Sequence, residues 1–307
     1  MLKLALVFPG QGAQYVGMGQ ELAAAYGAAG EIFTRADQIC GYGLSNLCFE
    51  GPQEMLNQTR YAQPALLVTG LACLAAARAN DLSAVCMSGL SLGEYTALVG
   101  AGALTLEKAL PLVMRRAELM QDAVPLGQGA MAAIIGLDNA TVEEVCRDQA
   151  GIVTVANYNC PGQLVISGEK AAVEAAAARL KEKGAKTMML AVSVPSHSPL
   201  MKQCAEEFAR VIARVEFSEP EIPVISNVTA APCGAADIPG LLVQQLYSPV
   251  RWEQSVRGMM TMADYFVEVG PGSSLSGLIK KIDKSRVLGQ VDDIRSLNKL
   301  VEKVKSI

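Results

Sequence analysis

The heptapeptide Gly89-Leu90-Ser91-Leu92-Gly93-Glu94-Tyr95 constrains this chain more than any other stretch. It follows an apolar run at 84–87 that reads as a buried strand, and it opens onto 95–99, which reads as a helix. A Gly-x-Ser-x-Gly in that setting is a nucleophile elbow. The turn is so tight that only Gly fits on either side, and the Ser hydroxyl projects from its tip. Two catalytic supports come with the position: the Leu92 N–H can help stabilise an oxyanion, and the positive end of the helix dipole lies beneath Ser91. The same residue types also build plain structural turns, so the elbow needs a base before it implies chemistry.

A Ser hydroxyl is a poor nucleophile until a base takes its proton, and the usual base is an imidazole. The chain has one His, His197, so an imidazole-assisted Ser91 has no other partner. A surface or helix-entry His is the plainer reading of a lone imidazole. Its setting argues otherwise: Ser198 and Pro199 read as the N-cap and first position of a following helix, which puts His197 on a fixed corner after a strand.

At 307 residues the chain can bury a sizeable core as one large domain, or as a large domain with a smaller insert. It is 51% apolar and 5% aromatic, which fits an α/β protein rich in Ala, Leu and Val. A formal charge of -4 argues against nucleic acid as the main partner. The most apolar segment, 66–77, is too short to span a bilayer and is broken by Thr69 and Gly70. The N-terminal residues lack a signal-peptide design, so a soluble cytoplasmic enzyme with no membrane partner is expected. The eight Cys are scattered without a C-x-x-C pair. They read as buried, reduced thiols, and no metal is expected.

In chain order, an apolar strand at 2–8 ends in Pro9-Gly10-Gln11-Gly12-Ala13-Gln14. That loop is either an ordinary turn or the source of a second oxyanion donor at Gln11. Helical patterns follow at 19–26 and 28–40. A polar stretch at 51–63 then leads to a helix at 64–79. Thr105 reads as the cap of a helix to about 121, whose apolar stripe is Leu106, Leu110, Val113, Ala117 and Met120. At about 100° per residue, Arg115 points away from the stripe and reads as solvated, whereas Arg116 flanks it and can reach an inner cleft. There it fits two roles, a bidentate clamp for a substrate carboxylate or a structural salt bridge.

From residue 129 the texture changes to strand 130–136, helix 141–149 with a Thr141…Glu144 capping box, strands 152–156 and 163–167, helix 169–183 and strand 186–193. The order β-α-β-β-α-β is that of a ferredoxin-like domain. The expected fold is therefore α/β, a large catalytic domain of 1–127 and 196–307 carrying a ferredoxin-like subdomain at 128–195. The cleft between them is where Ser91 and His197 should meet. A helix at 199–215, a strand at 222–227 ending at Asn227, a helical stretch through Gln245, a strand at 265–269 and a final strand and helix after Arg286 complete the large unit.

At this point the chain resembles the malonyl-CoA:acyl-carrier-protein transacylase family over essentially its whole length. The matching blocks, in the family's order, begin with Phe8-Pro9-Gly10-Gln11-Gly12-Ala13-Gln14, the elbow, Arg116 with Met120-Gln121, and Asn159-Cys160-Pro161-Gly162-Gln163. Val194-Pro195-Ser196-His197, Tyr247-Ser248-Pro249-Val250-Arg251-Trp252 and Glu268-Val269-Gly270-Pro271-Gly272 follow. The resemblance implies a large α/β-hydrolase-like domain with a ferredoxin-like insert. It implies that Ser91 is acylated, that His197 is the base and acid of a Ser–His dyad, and that the N–H groups of Gln11 and Leu92 form the oxyanion hole. Arg116 would bind the malonyl carboxylate, with Met120 and Asn159 also contributing to the substrate site. A backbone carbonyl near Gln245 would orient His197 in place of a carboxylate. The implied reaction moves malonyl from malonyl-CoA to the pantetheine thiol of acyl carrier protein in fatty acid biosynthesis. The implied enzyme is a monomer needing no cofactor. A free-standing acyltransferase of a polyketide synthase and a serine thioesterase are the alternatives. Two departures stand out: Leu90 replaces the common His before the nucleophile, and Ala117 replaces a Gly often found after the clamp arginine.

Overall fold

The computed structural model describes residues 2–125, 127–192 and 194–307. Its strands are β1 Leu4–Phe8, β2 Ala84–Gly89, β3 Gly129–Ile135, β4 Val153–Cys160, β5 Gln163–Glu169, β6 Lys186–Met189, β7 Val224–Ile225, β8 Tyr265–Val269 and β9 Val287–Val291. Five of them form a parallel sheet in the order β7-β2-β1-β8-β9. The central β1 reads Leu-Ala-Leu-Val-Phe and is buried throughout. Leu4, Leu6 and Phe8 join one apolar core, while Ala5 and Val7 join another with Trp252, Val256 and Phe266. Alternate side chains leave a strand on opposite faces, so helices cover this sheet on both sides, as parallel sheets require.

The helix Thr59–Arg78 crosses the core with nearly every residue buried. It starts five residues before the expected start at 64 and carries Pro64 inside it. Residues 59–63 read as loop because they are polar, yet Gln63 is buried and bonded within the site. The polarity of Thr59 and Gln63 serves contacts inside the protein. Thr105 does occupy the N-cap position of the helix Leu106–Asp122, although its hydroxyl makes no capping bond.

The remaining strands form an antiparallel sheet in the order β4-β5-β3-β6, covered by the helices Asn139–Arg147 and Lys170–Glu182. The element order is β-α-β-β-α-β, as the pattern predicts. Three local expectations change. The first helix begins at Asn139, and Asp138 caps it by accepting the Thr141 N–H at 2.8 Å, in place of a Thr141 box. Strand β4 extends to Cys160 and so carries Asn157 and Asn159. Strand β6 ends at Met189, and Ser193 of the expected strand lies outside the described residues. The outer edge of β4 is tied to the rest of the chain, because Tyr158 N–H donates to the Val250 carbonyl at 2.9 Å and Val250 N–H to that of Ala156 at 2.8 Å.

In the last third, the expected helix at 199–215 divides into a single turn Pro199–Met201 and the helix Lys202–Ile212, and β7 is shorter than expected. The amphipathic helices Trp252–Met259 and Ser274–Ile282 were not anticipated. Among the described residues no helix is long and apolar enough to cross a membrane, and no cluster of His, Cys, Asp or Glu could hold a metal.

Candidate active site

Ser91 sits where β2 gives way to the helix Gly93–Gly100, with φ at 54°. Left-handed backbone is costly for a residue with a side chain, so the surroundings must hold it there. Both flanking glycines are required by close approach. A Cβ on Gly89 would collide with the Gly93 carbonyl, and one on Gly93 with the carbonyl of Phe8 at the end of β1. Asn227 staples the turn from the side: its Oδ1 accepts the Ser91 N–H at 2.6 Å and its Nδ2 donates to the Gly89 carbonyl at 2.7 Å.

His197 reaches Ser91 from 106 residues further along the chain, with Nε2 at 2.9 Å from Ser91 Oγ. Its Nδ1 lies 2.7 Å from the Gln245 carbonyl, and its own N–H donates to the Leu246 carbonyl at 3.0 Å. A carbonyl can only accept, so the Nδ1 carries the proton and Nε2 is left free to take one from Ser91. His197 also has a positive φ, 61°, and is buried. Ser198 holds the expected N-cap position, but its hydroxyl donates backwards to the Pro195 carbonyl at 2.7 Å and braces the corner that bears the imidazole. Burial, and next the positive charge of Arg116, push the imidazole down to about 4. At neutral pH His197 is therefore a free base.

Arg116 is 1% exposed, and its guanidinium converges on the same point. It donates to Gln63 Oε1 at 2.6 Å, to Gln245 Oε1 at 2.9 Å and to Ser91 Oγ at 3.1 Å. The guanidinium carbon lies 5.3 Å from the centre of the Tyr95 ring, while Nε is buried without an acceptor. Among the described residues no carboxylate pairs with Arg116, which removes the salt-bridge reading and leaves a buried cation beside Ser91. Arg115 points outwards, as its helical angle predicts, and pairs with Glu118 at 3.1 Å.

The loop after β1 leans on the elbow, since a Cβ on Gly10 would collide with the Leu90 carbonyl. Gln11 is anchored by its side chain, which donates to Thr59 Oγ1 at 3.1 Å. Among the described residues, the N–H groups of Gln11 and Leu92 have no acceptor. Met120 is buried with its sulfur 3.5 Å from Gln63 Nε2. Asn159 lies on β4 with a buried Oδ1 that has no partner, and no hydrogen bond links it to Ser91, His197 or Arg116. The predicted set thus divides: Ser91, His197, Arg116 and Gln245 are directly bonded, Met120 joins through Gln63, and Asn159 stands apart.

Sequence reasoning missed Gln63, Glu94 and Asn227 as members of the site. Glu94 and Asn227 left a trace, as polar residues at the start or end of an apolar element, whereas Gln63 closes a polar stretch and left none. Glu94, buried in the first turn of the helix after the elbow, accepts from Gln245 Nε2 at 2.7 Å and from the Asn227 N–H at 3.1 Å. Burial pushes its carboxyl up to about 7, against these hydrogen bonds and the Arg116 charge, which favour the ionised form.

A polarised Ser, an uncharged imidazole and a buried cation within one hydrogen-bonded cluster suit attack on an acyl group that carries a negative charge. Comparison with known proteins agrees. Residues 5–302 match the model of the acyl transferase domain family. The malonyl CoA-acyl carrier protein transacylase of Bacillus subtilis (strain 168) is 43% identical over 311 residues, covering 99% of this chain and 98% of the relative. The solved malonyl CoA-acyl carrier protein transacylase of Coxiella burnetii superposes with a TM-score of 0.96 at 40% identity, covering 98% of each chain. A malonyl-transacylase solved in complex with a type II PKS acyl-carrier protein gives a TM-score of 0.95 at 43% identity, covering 98% of this chain and 99% of that one. With likeness of this extent in both sequence and structure, the chain belongs to the malonyl CoA-acyl carrier protein transacylase family.

Proposed function

We infer that this protein transfers the malonyl group of malonyl-CoA to the pantetheine thiol of acyl carrier protein through a malonyl ester on Ser91. The observation that carries this reading is the buried guanidinium of Arg116, 3.1 Å from Ser91 Oγ and without a carboxylate partner. An acyl chain ending in a carboxylate supplies that partner, whereas acetyl leaves the guanidinium without one.

In the first step His197 Nε2 takes the Ser91 proton as Oγ bonds to the thioester carbon. The N–H groups of Gln11 and Leu92 receive the oxyanion. The C–S bond then breaks, and the imidazolium returns its proton to the coenzyme A thiolate. In the second step the pantetheine thiol gives its proton to His197 and attacks the ester carbon. The C–O bond breaks and Ser91 Oγ is reprotonated. Gln245 orients the imidazole through its carbonyl, Met120 lines the substrate site beside Gln63, and Asn159, not bonded to this cluster, offers its unpartnered Oδ1 to bound substrate. No cofactor takes part in this scheme.

In fold terms, 1–127 and 196–307 form an α/β-hydrolase-like domain, and 128–195 an inserted ferredoxin-like subdomain. The strand order β4-β5-β3-β6 supports the second assignment. The expected state is a cytoplasmic monomer, and light scattering on the purified protein checks the monomer. A second reading, service to a polyketide synthase, is favoured by the likeness to the transacylase solved with a PKS carrier. Comparing transfer rates to a fatty-acid and a polyketide carrier separates the two.

Intact-protein mass spectrometry after brief mixing with malonyl-CoA tests the central step. A malonyl adduct is expected on the wild type and absent from Ser91→Ala. A wild type without an adduct sinks the reading.

A further inference from the structure

Gln245 is where the working side chains of the site meet. Its carbonyl faces His197 Nδ1 at 2.7 Å, its Oε1 accepts from Arg116 at 2.9 Å, and its Nε2 donates to the Ser91 carbonyl at 3.1 Å. A side-chain amide has a fixed polarity, and half a turn about its last bond exchanges oxygen for nitrogen. The flipped amide would aim N–H groups at a guanidinium that also has only donors, and would set its oxygen against the Ser91 carbonyl. Both contacts would become repulsive.

Glu94 opposes that flip. Its carboxylate lies 2.7 Å from Gln245 Nε2 and, when ionised, can only accept, so it specifies which end of the amide faces it. The carboxylate is itself fixed by the Asn227 N–H and by burial at 1% exposure. Arg116, Gln245 and Glu94 thus form one line in which an amide dipole joins a buried cation to a buried carboxyl group.

We propose that Glu94 is a positioning residue for acyl selectivity, which locks the Gln245 amide and thereby holds Arg116 beside Ser91, ready for the acyl carboxylate. This rests on the reading of Arg116 as the malonyl clamp given above. Glu94 touches neither nucleophile nor base, so it acts through Gln245. A rival role exists, because Glu94 also holds Asn227, whose side chain spans the elbow. The two roles are separable in principle. The elbow serves every acyl group, while the clamp serves only one with a carboxylate.

The test measures the rate of Ser91 acylation by malonyl-CoA and by acetyl-CoA in wild type, Glu94→Gln, Glu94→Met and Arg116→Ala, and in each Glu94 variant combined with Arg116→Ala. The malonyl-to-acetyl ratio is expected to fall about tenfold in Glu94→Met, which removes the acceptor. In Glu94→Gln, which keeps an acceptor but loses the charge, it should fall about threefold. Once Arg116 is Ala, neither change at Glu94 should move the ratio further. Equal losses for both acyl groups in Glu94→Met would overturn the proposal in favour of elbow support, as would a further drop in the Arg116→Ala background. Should Glu94→Met fail to fold, a wild-type ratio in Glu94→Gln overturns it instead. A wild-type ratio in Arg116→Ala removes the clamp reading and this proposal with it, which distinguishes that failure from the others.

Discussion

The two sheets of this protein are built by different rules. The core of the antiparallel sheet contains side chains such as Ala132, Ile134, Leu164, Ile166, Val173 and Leu180, and apolar patterning accounts for it. Around the parallel sheet, the same depth of burial holds Gln63, Glu94, Arg116, His197, Asn227 and Gln245. Burying a polar group is costly unless it is hydrogen-bonded, and these six residues bond to one another in a single network around Ser91. The core beside the antiparallel sheet is apolar packing, whereas around the parallel sheet part of the interior is given to a bonded polar cluster.

That contrast can be broken at several points. Ser91→Ala should leave the fold intact and lower transfer by roughly 10⁴-fold or more, read from the rate of carrier-protein malonylation. Ile166→Ala, in the apolar core, should do the reverse. It should cost about 2–5 kcal/mol of stability in a denaturant titration while the rate per folded molecule holds. A loss of rate without loss of stability would show that the two sheets do not divide in this way. Arg116→Ala should lower the malonyl-to-acetyl ratio of acylation by roughly 10–100-fold, because a charged hydrogen-bond pair is lost for malonyl alone.

A pH profile sharpens the comparison further. Acylation needs the neutral imidazole, so with acetyl-CoA the rate should persist as pH falls and drop only near about 4. Arg116 lowers the His197 value by charge repulsion, so Arg116→Ala should move that midpoint upwards. An unmoved midpoint would show that burial alone sets it. The smallest effect belongs to Arg115→Ala. Its pairs with Glu118 and Glu207 are exposed, so stability should change by no more than about 0.5 kcal/mol.

Legibility in the sequence follows the same division. The β-α-β-β-α-β run was readable because its strands and helices bury one apolar face each, and periodicity reports that directly. The elbow and the lone His were readable because nucleophilic chemistry restricts residue type. Gln63 was not, since a polar residue before Pro64 reads as loop until its partner Arg116 is known. Glu94 stood inside the quoted elbow, yet nothing local says that a carboxylate there faces inward to meet Gln245, which lies 151 residues away. Such contacts depend on long-range packing, which a single sequence does not print. The helices Trp252–Met259 and Ser274–Ile282 are amphipathic, and their apolar faces were legible in principle.

The solitary imidazole makes this enzyme its own reporter. Histidine labelled with ¹⁵N throughout the chain gives the resonances of one ring, the ring that lies 2.9 Å from Ser91 Oγ and that the proposed mechanism uses as its base. Tautomer, protonation and the arrival of an acyl group on Ser91 can therefore be followed at one pair of nitrogens, without assigning the spectrum and without altering a residue.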